Sequence, residues 1–234
     1  MNINKHLIPL FSVLFFLFAV SVSSGCFRKN ESDVKNVVKT ELDQLKNLDS
    51  ETTQKYIPYT ELFPDATENT DLSDEITETF SLFFRKFDYK ISDVSISAEN
   101  NSATVSVKLT TINSQILARD FKTELLQTQI TEAAQAQTGS TKDSSRSLEA
   151  HYLILNHLLN TNDYDTAETD CNIQLVNTGN DKKEKWKIQR TNSLEDDLVG
   201  GLIADLADPD ILSPEDTLTV YLDTLEKLDL QEMS

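Results

Sequence analysis

The chain has 234 residues, with 39 Asp and Glu against 21 Lys and Arg, and a formal net charge of −18 at pH 7. That balance argues against a nucleic-acid partner, whose phosphates call for a basic footprint. The length suffices for one domain with a real core, or for one domain with a helical appendage.

Lys5 precedes an apolar stretch from Leu7 to Val22, and Ser23-Ser24-Gly25-Cys26 closes it. A positive n-region, an apolar body and small residues at the cut mark an export signal. The segment resembles a bacterial lipoprotein signal. The resemblance implies cleavage between Gly25 and Cys26, with Cys26 lipidated as the first residue of the mature chain. Ser24 and Gly25 match the small residues of that pattern, and Ser23 departs from it, since an aliphatic residue is usual there. The apolar run is marginal against the roughly 20 residues of a membrane span and contains Pro9. An uncleaved anchor and a freely secreted product are the alternatives. One acyl chain holds a protein only reversibly; a diacylglyceryl cysteine supplies two, and Arg28 and Lys29 can meet anionic headgroups.

Cleavage leaves 20 bases against 39 acids, a net charge of −19. The expected organisation is a signal peptide over 1–25, a short lipid tether over 26–31, an α+β domain over 32–206 and an acidic C-terminal helix over 207–234. The five residues from Phe27 to Glu31, extended, reach about 17 Å, so the domain is expected close to the bilayer. Lipidation of Cys26 leaves Cys171 without a disulfide partner.

Ser32–Leu48 reads as an amphipathic helix capped by Ser32, with Val34, Val37, Val38, Leu42 and Leu45 on one face. A short helical turn over Thr52–Tyr56 and a loop over Tyr59–Thr70 follow. A helix from Ser73 to Phe87 buries Ile76, Phe80, Phe83 and Phe84. The period then changes to two: Val94, Ile96 and Ala98, a Glu99–Ser102 turn, then Ala103, Val105, Val107 and Leu109 describe a β-hairpin. Ser114 is expected to cap a helix to about Ala136 with Ile116, Leu117, Phe121, Leu125 and Leu126 apolar, before a Gly/Ser/Thr-rich loop over Gln137–Arg146. A helix over Leu148–Asn160 leads to a second hairpin, in which Ala167, Thr169, Cys171, Ile173 and Leu175 alternate with polar residues. Its return strand carries Trp186 and Ile188. Ser193, with Asp196 three residues on, reads as a capping box for a helix interrupted by Gly200-Gly201. Ser213-Pro214 opens the last helix, whose Leu218, Tyr221, Leu222, Leu225 and Leu228 form a stripe suited to a core or a docking face.

The order of helices, hairpin, helices and hairpin, ending in Lys185-Trp186-Lys187-Ile188 and then Leu198-Val199-Gly200-Gly201-Leu202, is similar to the cystatin-like or nuclear-transport-factor-2-like domain of small Gram-positive lipoproteins. The similarity spans roughly residues 32–206. It implies a curved antiparallel sheet of two or more hairpins wrapped by helices, with a concave face for a small ligand or partner. Such domains usually have four to six strands; the pattern here supplies four, with a long helical insertion and an extra C-terminal helix.

Few residues point to chemistry. His151 and His157 lie six apart, about 120° apart on a helical wheel, which is not the geometry of a paired zinc site. A pairing of Cys171 with either histidine is the nucleophile candidate, against a buried-thiol reading of Cys171. Five glycines, at 25, 139, 179, 200 and 201, do not compose a phosphate-cradling loop. Asp205, Asp208, Asp210, Glu215 and Asp216 cluster without the EF-hand spacing, so helix capping and solvation are expected rather than calcium. No cofactor or metal is expected. From Thr191 to Ser234 twelve acids face one base, Lys227, a solvated face or a surface for a basic partner. The expectation is a binding module lipid-anchored to the extracytoplasmic side of the cell membrane, engaging an envelope protein or a small ligand through its sheet or its C-terminal helices. The alternative is an enzyme working in the pocket of the domain.

Overall fold

A computed structural model of the chain describes residues 30–57, 59, 62–63, 66, 73–97, 99, 101–137, 145–179 and 185–232. Gly25, Cys26 and the rest of the expected signal lie outside the described residues, as does most of the Tyr59–Thr70 loop. No helix among the described residues is long and apolar enough to cross a membrane.

The fold is α+β, with a four-stranded open antiparallel sheet among the described residues. Helix α1 (30–46) leads to α2 (Ser50–Tyr56), α3 (Ser73–Phe83), a 3-10 turn (Phe84–Lys86) and the hairpin β1 (Asp88–Ser97) and β2 (Ser102–Ile112). Helices α4 (Ser114–Gln137) and α5 (Leu148–Thr161) carry the chain to β3 (Thr166–Asn177) and β4 (Trp186–Ile188). Helices α6 (Asn192–Leu198), α7 (Leu202–Ala207) and α8 (Pro214–Glu232) follow. The strand order is β1-β2-β3-β4.

The described residues divide into two compact units: those within 30–40, 91–106 and 173–189 form the first, and those within 41–90, 107–172 and 190–232 the second. In the first, β3 and β4 pair with Leu175 opposite Ile188 and Asn177 opposite Trp186. Val34, Val38, Ala103, Val105, Ile173, Leu175 and Trp186 are buried there. Asn101 takes φ 48°, a conformation asparagine tolerates in turns, and its carbonyl accepts from the Asn177 amide at 2.8 Å. Val94 and Ile96 are only half-buried, because β1 is an edge strand with a neighbour on one side alone.

The second unit holds the aromatic core. Phe83, Phe84, Phe121, Tyr56 and Tyr152 are almost wholly buried, each contributing about 1.5–3 kcal/mol by burial alone if phenylalanine is the guide. Phe84 meets Phe83 edge-on at 5.5 Å and Phe87 at 5.2 Å. Ile76, expected in this core, is half-buried.

Three expected caps are corrected. Helix α1 already runs from residue 30, so Ser32 lies within it. Asn113, not Ser114, caps α4: its Oδ1 accepts from the Ile116 amide at 3.3 Å and its carbonyl from the Leu117 amide. Thr191, not Ser193, caps α6 by accepting from the Leu194 amide at 3.1 Å, while Asp196 reaches forward to the Ala204 amide. At both of these helix starts a run of polar residues can cap, Asn113-Ser114 and Thr191-Asn192-Ser193, and the first of the run does. Ser213 does cap α8, its Oγ accepting from the Asp216 amide at 3.0 Å. Ile116, expected on an apolar stripe, is exposed.

Candidate functional site

Within the second unit a cavity of about 560 Å³ opens between α4, α5 and α7, in the size range of small-molecule sites. Helix α4 supplies Phe121, Lys122, Leu125, Leu126 and Gln129 to its wall. Offsets of 0, 1, 4, 5 and 8 keep those residues on one helical face. Leu62 and Phe63 enter from the segment between α2 and α3, Ser145 and Arg146 from the segment before α5, and His151 from its first turn. Leu206 of α7, and Pro209, Ile211 and Leu212 of the segment before α8, complete the apolar lining.

The floor is an aromatic cluster. Phe63 stacks on Phe121 at 5.1 Å and meets Tyr152 edge-on at 5.3 Å. The His151 ring lies 5.0 Å from Phe63 and 5.6 Å from Phe121. Its Nδ1 is 2.7 Å from the Ser147 carbonyl oxygen. A carbonyl can only accept, so Nδ1 carries the proton. Tyr152 donates its hydroxyl to the Tyr59 carbonyl at 2.7 Å, and burial pushes that phenol far above its ordinary range.

The lining holds two cations, Lys122 and Arg146, and Lys122 has no side-chain hydrogen bond or ion pair among the described residues. Asp208 is the acid in the lining, and its Oδ1 accepts from the Asp210 amide at 2.9 Å.

The walls are held by a link between α4 and the α6–α7 junction. Ser114 Oγ is 2.6 Å from both the Gly200 carbonyl oxygen and Asp205 Oδ2. The chain can turn there because Gly200 and Gly201 take φ 67° and 89°, a region open chiefly to glycine. A Cβ on Gly200 would fall 2.1 Å from Thr111 Oγ1.

The other candidates from the sequence do not assemble. Cys171 is buried, and burial with Asp197 beside it pushes its thiol up to about 12, so it is a poor nucleophile at neutral pH. His157 is exposed, its Nε2 4.0 Å from Glu124 Oε1, apart from the His151 stack. The acids around Pro209 are spread over separate tasks: Asp205 toward Ser114, Asp208 in its own turn, and Asp216 at the α8 cap with Arg119 3.4 Å away. Among the described residues no group of three or more His, Cys, Asp or Glu is disposed to hold a metal ion. The sequence marked Phe121, Leu125 and Leu126 only as an apolar helix face; Leu62, Phe63 and Ile211 carried no periodic signal at all.

No protein family, curated protein or solved structure matches the chain.

Proposed function

We propose that the protein is a lipid-anchored binding module of the bacterial cell envelope, held on the extracytoplasmic face through Cys26. The observation that carries the binding part of this reading is the cavity of about 560 Å³, with its aromatic and aliphatic walls and Lys122 and Arg146 in its lining. Such a lining suits a small ligand with an apolar body and an anionic end, because apolar contact supplies affinity while a few charged groups fix orientation. His151 is built into this wall: its ring packs against Phe63 and Phe121, and its Nδ1–H donates to the Ser147 carbonyl. The anchoring part rests on the apolar Leu7–Val22 stretch and the Ser-Ser-Gly-Cys sequence that ends it.

Titration with 1-anilinonaphthalene-8-sulfonate, an apolar body bearing one anionic group, tests the cavity. Saturable one-to-one binding is expected, weakened about tenfold by Leu126→Gln, a loss of about 1.4 kcal/mol, and also weakened by Lys122→Gln. Binding unchanged in both variants would remove the cavity from the proposal.

A further inference from the structure

Helix α8 turns inward the face of Asp216, Val220, Thr224 and Leu228, of which Thr224 is buried and the others half-buried. Asp216 faces Arg119 of α4, and Thr224 is buried with its hydroxyl donated to the Val220 carbonyl at 2.6 Å. Three large apolar residues point the other way: Leu218, Tyr221 and Leu222 are 57%, 46% and 55% exposed. Half-buried Leu225 continues them by one turn, so the stripe follows the i, i+3, i+4, i+7 spacing of one helical face. Seven residues at 1.5 Å each give it a length of about 10 Å. Large apolar side chains grouped on a surface mark an interaction site, and this spacing is the one by which a helix meets another helix.

The charges beside the stripe select the partner. Glu215, Asp223 and Glu226 are exposed on the same helix, in a C-terminal stretch of twelve acids and one base. A second copy would set those acids against each other, and an anionic bilayer surface would repel them. Lysines or arginines flanking an apolar face would complement them.

We propose that the Leu218–Tyr221–Leu222 face of α8 docks a basic amphipathic helix of a partner protein. This surface is separate from the cavity wall formed by Phe121, Leu125 and Leu126, and the proposal stands independently of what the cavity holds.

A fluorescent model helix of about 18 residues, long enough to fold on contact, tests it in two forms: leucines on one face with lysines elsewhere, and the same with glutamates. The lysine form is expected to bind saturably and more weakly as salt rises. Leu218→Ser and Leu222→Ser should each weaken it about tenfold at unchanged protein charge and unchanged thermal midpoint, since both positions are more than half exposed. Leu126→Gln, in the cavity, should leave it unaltered. Four results would overturn the proposal: no saturable binding, equal binding of the glutamate form, equal binding by both stripe variants, or a wild-type dimer in sedimentation that Leu222→Ser dissolves. A fifth is binding to phosphatidylcholine vesicles that Leu222→Ser abolishes, which would assign the stripe to a lipid surface.

Discussion

Ser114 Oγ lies 2.6 Å from Asp205 Oδ2, and this contact ties the first turn of α4 to α7 across the two walls of the cavity. The same hydroxyl is 2.6 Å from the Gly200 carbonyl, so one proton serves two acceptors in turn. Ser114→Ala removes the donor and leaves both acceptors facing a methyl group. A loss of about 1–3 kcal/mol is expected, read from the urea midpoint, together with weaker binding of the anionic probe as α4 and α7 lose their link. Unaltered stability would mean the contact contributes nothing.

Gly200→Ala combines two costs. Its backbone, at φ 67°, suits glycine, and the new Cβ would meet Thr111 Oγ1 at 2.1 Å. Strain of about 1–3 kcal/mol from the dihedral is expected together with a comparable overpacking cost. In Gly200→Ala/Thr111→Ala the overpacking should be relieved and the dihedral cost retained, so thermal midpoints should rank wild type, then double variant, then Gly200→Ala.

Acid stability divides the carboxyls into two sets. Hydrogen bonds from Lys46 to Asp88 and from Lys86 to Asp163 hold those acids below the ordinary carboxylate range. Their contribution is present above the unfolded value of about 3.9 and is lost as pH falls through the lower folded values. Both are exposed, so each effect is small. Asp197 runs the other way: burial raises it, the Cys171 hydrogen bond partly offsets this, and Asp196 adds to the rise. A raised acid binds protons more readily folded than unfolded, so stability falls as pH rises from the unfolded value through the folded one. Asp197→Asn should therefore stabilise at pH 7 and be near neutral at pH 3, by thermal unfolding at the two pH values. Equal effects at both would contradict the burial of its charge.

Cys171 is expected to resist a thiol reagent at pH 8. Its thiol is pushed up to about 12 by burial and by Asp197, and the thiolate is the reactive form. Labelling should appear only as denaturant opens the unit; stoichiometric labelling of the native protein within seconds would place the thiol at the surface.

Alternation along β2 was the most legible signal in the chain. Ala103, Val105, Val107 and Leu109 are buried in turn, because a strand with neighbours on both sides and one covered face leaves no freedom of phase. The matching pattern in β1 gives less burial, since edge position is a property of pairing order and not of local sequence. The caps at Asn113 and Thr191 were hidden by serines one and two residues on, Ser114 and Ser193, with comparable capping chemistry. On α8 the sequence located the apolar stripe correctly but carried no information on whether the domain covers it. Amphipathicity fixes which residues share a face; tertiary packing decides where that face points. The cavity was legible only in its α4 wall, because Leu62, Phe63 and Ile211 come from segments without a period.

The most direct test of the proposed anchored module is the intact mass of the protein extracted from membranes of its native cells. A chain beginning at Cys26 and heavier than its amino acids by a diacylglyceryl group is the expected result, with Cys26→Ala releasing the protein from the membrane fraction. An unmodified chain retaining Met1–Gly25, still membrane-bound as Cys26→Ala, would contradict it and make the apolar Leu7–Val22 stretch the anchor.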